Sequence, residues 1–222
     1  MCGRFTLTVE TEQLQDSFPQ VSFPPQDGPR FNIAPTQPVL AVPNTPALAA
    51  DYFTWGLVPS WAKDPEIGSR LINARAETLG EKPSFRGSYK YKRCLVFADG
   101  FYEWQAQPGS KSKVPHFIRL ETGKPFAFAG LWDEWHSPDG SQIKSCTIIT
   151  TEPNALMAKL HNRMPVILPE SAYEQWLDPA PRKPEELQSL LVPYPAAAMT
   201  AYPVSTLVNS PANDRAECIL PA

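Results

Sequence analysis

Proline is the sequence feature that most restricts how this chain can fold. The 222 residues contain 26 prolines against 11 glycines. Proline has no backbone N–H and a fixed φ, so it interrupts helix interiors and central strands. We therefore predict short helices and strands joined by many loops, which disfavours a helical bundle. The length fits one large domain, which we place over residues 1–222.

Most of the predicted elements are strands. Runs rich in β-branched and aromatic residues, bounded by turn residues, predict strands. They lie at 39–42, 51–55, 94–98, 116–120, 126–131 and 144–150. Leu14 and Phe18 predict a short amphipathic helix over 10–18, and Thr151 is the predicted cap of a second helix that begins near Pro153.

Charge and cysteine content restrict the class of protein. The net charge of −3 gives no global argument for nucleic-acid binding, which would need a local basic patch. The four cysteines are far apart and lack zinc-type spacing with the three histidines, so we expect a reducing compartment, no metal and no cofactor. No apolar leader follows Met1 and no run approaches membrane-spanning length, which predicts a cytoplasmic protein without a membrane partner.

The chain begins with a pair of residues that can generate an unusual reagent. Cys2 follows Met1, and its small side chain permits the removal of Met1. An N-terminal cysteine carries an amine and a thiol on adjacent carbons, so an aldehyde can condense with the amine and the thiol can close a thiazolidine ring. The reference pKa values, about 8 for the amine and about 8.5 for the thiol, leave both partly reactive near neutrality. The alternative is that Cys2 is a small buried hydrophobe.

Two further segments carry polar groups that are costly to bury without partners. Asn73, Arg75 and Glu77 alternate, so they share one face if the segment is extended, either as a solvated edge or as a site. Glu103 is enclosed by aromatic residues in the segment 101–104, which makes it a candidate general acid or base. Alternatively, Glu103 points outward or pairs with a buried arginine.

The histidines and one asparagine have weaker signals. His161 follows the second predicted helix, where the helix dipole would favour an imidazolium, so it is either a functional group or a C-terminal cap. His116 and His136 receive no role. Asn32 precedes Pro35 closely and is typical of a turn asparagine.

The strongest local nucleic-acid signal is the segment 85–93. It interleaves Arg86, Lys90, Lys92 and Arg93 with aromatic residues, a pattern suited to phosphates and stacked bases, although a solvated charged strand is an alternative. Trp61 lies in a predicted loop over 56–63 and is either an exposed stacking platform or a core residue.

Six ordered motifs together resemble the SOS response-associated peptidase (SRAP) family. They are MCGRF at 1–5, RFNIAP at 30–35, WGLVP at 55–59, INARAET at 72–78, ADGFYEW at 98–104 and HNRMP at 161–165. The likeness continues to 203–206 and so covers nearly the whole chain. It implies an α+β fold of antiparallel sheets curled into a barrel-like core, with short peripheral helices and a groove for single-stranded DNA.

The resemblance also implies an activity. Members act as sensors of abasic sites in the DNA damage response, where the mature N-terminal cysteine forms a covalent thiazolidine link to the ring-opened aldehyde. On this chain the link would fall on Cys2, with Glu103 as acid and base, Asn73 orienting the N-terminus and the sugar, and His161 as a second proton-transfer group. The family is also associated with lyase-like Schiff-base chemistry and with peptidase action on its own N-terminus.

The same resemblance gives a set of DNA contacts. Guanidinium groups hold phosphate oxygens in fixed geometry. The candidates are Arg4, Asn32, Pro35, Trp61, Arg75, Arg86 and Arg163. The expected partner is single-stranded DNA with abasic sites, bound by a monomer.

Two positions depart from the family pattern. Some members have adjacent tryptophans where this chain has Trp61 followed by Ala62, which weakens the expected wedge between bases. Asn162 stands where an aspartate is usual, so His161 lacks a carboxylate partner from that position.

Two other functions remain open from the residues. One is an N-terminal-nucleophile hydrolase that cleaves amides, with the α-amine as base. The other is a non-catalytic module that binds intact and abasic single strands alike, with Cys2 structural.

Overall fold

The fold is built mainly of β-strands, and its helices are short, as the proline content predicts. A computed structural model describes residues 2–110 and 112–222, in which the chain forms thirteen strands and four short α-helices. The strands are β1 (Phe5–Leu7), β2 (Arg30–Ile33), β3 (Pro38–Pro43), β4 (Asp51–Trp55), β5 (Asn73–Arg75), β6 (Arg93–Ala98), β7 (Gly100–Ala106), β8 (Lys113–Leu120), β9 (Phe126–His136), β10 (Gln142–Thr151), β11 (Met164–Pro165), β12 (Ile167–Leu168) and β13 (Met199–Pro203). The α-helices are α1 (Thr11–Ser17), α2 (Arg86–Tyr91), α3 (Tyr173–Leu177) and α4 (Pro184–Gln188). The predicted removal of Met1 lies outside the described residues.

A closed ring of strands forms the core. Strands β10, β4, β3, β6 and β9 pair in that order, and β9 returns to β10. Large apolar side chains, including Trp55, Phe97 and Phe128, are fully buried in the main core. The predicted α+β fold with a barrel-like core and short helices is confirmed. One detail differs, because β10 pairs with β4 and β5 in parallel rather than antiparallel.

A second sheet packs beside the ring, in the order β13, β8, β7, β1 and β2. The chain passes from the first sheet to the second at Asp99, which separates β6 from Gly100, the first residue of β7. The chain therefore changes sheet at this point and does not form a hairpin. Gly100 is required here, because a Cβ atom would lie 2.2 Å from the Phe117 ring.

Glycine occupies two of the hairpin turns, and the first predicted helix is confirmed. Gly109 and Gly140 have positive φ values of 74° and 89° between their strands. Helix α1 begins with a capping box between Glu10 and Gln13. Across the described ranges, the helices are all too short or too polar to cross a membrane.

The second predicted helix is wrong in extent and in its cap. Thr151 stays in β10 paired with Met164, and residues 152–154 that follow it are not helical. Instead, the side-chain oxygen of Asn154 accepts a hydrogen bond of 2.9 Å from the backbone N–H of Met157. Only a single 3₁₀ turn, Met157–Lys159, follows.

Candidate active site

Cys2 lies at the junction of the two sheets. It precedes β1, whose Phe5 pairs with Phe101 of β7. The side chain is fully buried, and the sulfur lies 3.9 Å from the carbonyl oxygen of Arg4. Burial raises the pKa of the Cys2 thiol well above its ordinary value, and the negative charge of Glu103 raises it further. The sulfur is therefore protonated, and Glu103 lies within electrostatic reach of it.

Asn73 holds the backbone of Cys2 from the other sheet. As the first residue of β5 it pairs with Ile148 of β10. Its side-chain N–H donates a hydrogen bond of 2.7 Å to the Cys2 carbonyl oxygen. The amide oxygen of Asn73 is buried and accepts no hydrogen bond from the described residues. It is thus an acceptor available to a bound group beside Cys2.

Glu103 points into the structure. Its side chain is 3% exposed, so the alternative of an outward-facing glutamate is wrong. In the register of β7 with β8, Glu103 lies directly opposite His116. Successive residues of a strand face opposite sides of the sheet. Phe101, two residues before Glu103, packs in the main core, whereas Tyr102 packs in a second apolar cluster on the other face. Glu103 therefore faces the same side as Cys2.

His161 is half-buried after the short 3₁₀ turn. Its Nδ1 accepts a hydrogen bond of 3.1 Å from the backbone N–H of Arg163. An accepting Nδ1 carries no proton, so the neutral ring presents its N–H at Nε2. The side chain of Gln105 in β7 donates to the carbonyl of Lys159 at 2.9 Å, which ties this segment to the strand that carries Glu103. Because the turn is so short, its dipole gives little support to a capping role.

Two of the predicted phosphate ligands, Arg75 and Arg163, lie on neighbouring segments. Arg75 is exposed at the end of β5. Arg163 donates to both carboxylate oxygens of Glu77 at 2.6 and 3.0 Å, and to the carbonyl of Thr150 at 2.6 Å. The hydrogen bond from Arg163 lowers the pKa of Glu77 below its usual value.

Arg4 and Asn32 bind protein rather than solvent. The Arg4 guanidinium donates to the Asn32 side-chain oxygen at 2.7 Å and to the Val208 carbonyl at 2.6 Å. The fully buried Asn32 amide donates to the carbonyls of Ser210 and Asn213 at 2.9 and 2.7 Å. Asn32 lies in β2, so its interpretation as a turn asparagine is wrong. Both residues hold the C-terminal segment in place, and neither is among the DNA contacts proposed for this chain.

The remaining predicted DNA contacts lie at the surface or half-buried. Trp61 is 59% exposed, so the alternative of a core residue is wrong. It lines a depression of about 220 Å³ together with Tyr91, which is 51% exposed. Arg86 is exposed at the start of α2, and Pro35 is half-buried just after β2.

The segment 85–93 is a helix followed by a buried arginine, not a charged strand. Phe85 and Tyr89 are four residues apart and bury one helical face. Arg93 is fully buried, with its guanidinium bound to backbone carbonyls that include those of Trp176 and Asp178. The predicted basic patch therefore loses Arg93, since a guanidinium held by carbonyls inside the protein cannot reach a phosphate.

Two contacts around the site were not predicted from the sequence. Glu77 was visible as part of a polar face, but its partner Arg163 is 86 residues away. Trp104 lies beneath the guanidinium of Arg4, 5.8 Å from it, and its indole N–H binds the side chain of Asn209 at 2.7 Å. An aromatic residue next to Glu103 was a usable signal.

Other features of the chain lie apart from these residues. A cavity of about 710 Å³ opens elsewhere and is lined by residues that include Phe18, Leu48 and Tyr173. The four cysteines are free and buried. Within residues 2–110 and 112–222, no group of three or more histidine, cysteine, aspartate or glutamate side chains could hold a metal ion.

Comparisons with known proteins agree with the six motifs. The family model described as SOS response associated peptidase (SRAP) matches residues 1–211. Abasic site processing protein YoqW of Bacillus subtilis (strain 168) is 48% identical over 222 residues, which covers 99% of each chain. Abasic site processing protein HMCES of Gallus gallus is 37% identical over 191 residues, which are 75% of this chain and 56% of that protein. A crystal structure of a protein from Bacteroides thetaiotaomicron superposes with a TM-score of 0.87 over 100% of both chains, at 28% identity. The chain therefore belongs to the SRAP family, as its motifs indicate.

Proposed function

We propose that this protein processes abasic sites in DNA by forming a covalent thiazolidine between Cys2 and an abasic site in a single strand. The names of its relatives support the abasic-site substrate. The observation that carries the chemistry is the placement of Cys2, whose carbonyl is bound by Asn73 and whose thiol lies in the field of Glu103.

The reaction needs no oxidant or reductant. Removal of Met1 creates the free amine of Cys2, which attacks the aldehyde carbon of the ring-opened sugar. The aldehyde oxygen takes up a proton from the amine and becomes a hydroxyl group. Loss of this hydroxyl group together with the second amine proton, as water, gives an imine. The sulfur then adds to the imine carbon, the S–H proton passes to the nitrogen, and the ring closes. The product contains all atoms of protein and DNA except one water molecule.

Each candidate side chain has a proton or an orientation to control. Glu103 takes a proton from the attacking amine, gives it to the departing hydroxyl group and later relays the thiol proton to the nitrogen, because its carboxyl group is buried within electrostatic reach of that thiol. His161 offers its Nε2–H to the sugar as a second proton-transfer group. The free amide oxygen of Asn73 orients the new amine, while its N–H holds the Cys2 carbonyl.

In this proposal the protein recognises the sugar-phosphate backbone of the DNA. An abasic site has no base to read, so affinity comes from phosphate contacts and unstacked geometry, and falls with salt. Arg75, Arg163 and Arg86 supply local positive charge on a chain whose net charge is −3. Trp61 offers an exposed ring for stacking on a neighbouring base.

The test uses three labelled single strands that differ at one position: an abasic site, its tetrahydrofuran analogue without an aldehyde, and thymine. Only the abasic strand should give an adduct that persists on a denaturing gel. Its mass should equal the protein without Met1 plus the DNA minus one water. Absence of this adduct, from a chain shown by mass spectrometry to lack Met1, would overturn the proposal.

Variants of Cys2 separate the two covalent steps. Cys2→Ala and Cys2→Ser keep the N-terminal amine after Met1 removal but lack the sulfur. Both should lose the stable adduct yet be trapped on the abasic strand by borohydride, which reduces the imine. An amide hydrolase would instead turn over an amide substrate through an acyl group on the sulfur. A non-catalytic module would bind all three strands alike and tolerate Cys2→Ser.

A further inference from the structure

We propose that Glu77 is an internal competitor of DNA at Arg163, occupying the place of a backbone phosphate until a strand displaces it. This inference rests on the proposed function, because it concerns how the same site receives DNA. The sequence resemblance assigned Arg163 to phosphate and gave Glu77 no role.

The geometry of the pair imitates a phosphate complex. Two nitrogens of Arg163 donate to the two oxygens of Glu77, at 2.6 and 3.0 Å. A guanidinium binds a carboxylate and a phosphate through the same pair of parallel hydrogen bonds. An arriving phosphate therefore needs the donors that Glu77 now holds.

Arg163 does not depend on Glu77 for its position. Its guanidinium also donates at 2.6 Å to the carbonyl of Thr150, which is fully buried in β10. Its backbone N–H is bound by His161. The side chain of Arg163 is 14% exposed, whereas that of Glu77 is 50% exposed. Glu77 can thus swing into solvent while Arg163 stays in place.

The local charge makes this competition costly for DNA. Arg163 and then Arg75 hold the pKa of Glu77 below its usual value, so the carboxylate stays ionised at neutral pH. A negative charge beside the two arginines proposed to bind phosphate repels the strand and cancels one of their two charges. Glu77 therefore lowers the affinity of the protein for intact single strands. Only a strand that is linked covalently then stays bound for a long time.

The same contact connects strand capture to the reaction site. The residue whose guanidinium would take the phosphate is bound through its backbone to Nδ1 of His161. A strand that replaces Glu77 is thereby held next to the proposed proton donor. Strands that cannot reach this position remain weakly bound.

The test measures reversible binding, with covalent capture removed by Cys2→Ala. Glu77→Gln keeps the shape of the side chain and removes its charge. In that background it should bind an intact single strand about two- to fivefold more tightly at low salt. The slope of log affinity against log salt should steepen by about 0.7, the value for one additional phosphate contact on a single strand. Adding Arg163→Gln should abolish the gain.

Asp51→Asn is the matched control. It also removes one carboxylate from an exposed ion pair, here with Lys144 of β10. Lys144 and Thr150 are six positions apart on that strand, or about 20 Å. Unchanged or weaker binding by Glu77→Gln, or an equal gain from Asp51→Asn, would overturn the inference. The adduct assay tests the proposed function separately. A wild-type protein that forms no adduct would refute the proposed function but not the competition. A Glu77→Gln variant without the expected gain in binding would refute the competition but not the proposed function.

Discussion

The side-chain amide of Asn73 donates a hydrogen bond of 2.7 Å to the carbonyl oxygen of Cys2, so the barrel holds the N-terminal residue that precedes the second sheet. The contact joins residues 71 positions apart. It restricts the direction in which an amine on Cys2 can point, which is the main requirement for a reaction between two tethered groups.

Asn73→Ala should therefore slow adduct formation by about 10- to 100-fold, because the reacting amine loses its orientation. Its affinity for the tetrahydrofuran strand should be unchanged. Single-turnover rates and anisotropy measure the two quantities. A normal rate would show that Asn73 does not orient Cys2.

Glu103→Gln should reduce the rate of adduct formation by about 100-fold or more, as expected for loss of a general acid and base. The same change should lower the pKa of the Cys2 thiol, since the charge of Glu103 contributes to its elevation. Alkylation of Cys2, followed by mass spectrometry against pH, should thus become faster as the adduct is lost. If Glu103→Gln lost both adduct formation and the alkylation of Cys2, a proton-transfer role for Glu103 would be contradicted.

Arg93 should prove structural, in contrast to Arg86. Its guanidinium donates to the carbonyls of Tyr89, Lys90, Trp176, Asp178 and Ala180. Arg93→Lys should cost about 3 kcal/mol in urea unfolding, because lysine cannot supply the planar fork and leaves buried carbonyls unpaired. Arg86→Gln, the exposed control, should leave stability unchanged and weaken DNA binding. Equal stability of the two variants would refute this assignment.

Asn32→Ala should loosen the C-terminal segment. The amide donates to carbonyls of Ser210 and Asn213, and its oxygen accepts from Arg4. Loss of these buried bonds should lower the free energy of unfolding by about 2–3 kcal/mol. Limited proteolysis should then cut within 204–222 before the rest of the chain. The exposed Asn162→Ala should behave as wild type in both assays.

Stability should fall in alkali because of buried thiols. Burial raises the pKa values of Cys2, Cys94 and Cys146 above the ordinary value of about 8.5. Below that pH the thiols are neutral in both the folded and the unfolded state, and their full contribution to the stability of the fold is present. As the pH rises further, the unfolded thiols ionise while the buried ones keep their protons, so stability is lost. Urea unfolding from pH 7 to 10 should show this decline, and Cys146→Ala should make it shallower by up to about 1.4 kcal/mol per pH unit. A slope unaffected by this substitution would rule out the thiol as its cause.

Local chemistry in the sequence determined much of this protein. The prolines limited element length, and runs of apolar, β-branched and aromatic residues predicted strands such as β4 and β6. The aminothiol capacity of Cys2 follows from covalent structure alone, and the ordered motifs indicated the family. These properties depend on neighbouring residues or on residue identity, so no knowledge of packing was needed.

The tertiary structure decided everything that depends on distant partners. The segment 85–93 fits both a strand and a helix by period, and the burial of Phe85 and Tyr89 selected the helix. Packing also turned Arg93 inward, set Asn73 on Cys2 and placed Glu77 on Arg163. A buried charge or amide must find a partner wherever the fold supplies one, and such partners lie far away along the chain.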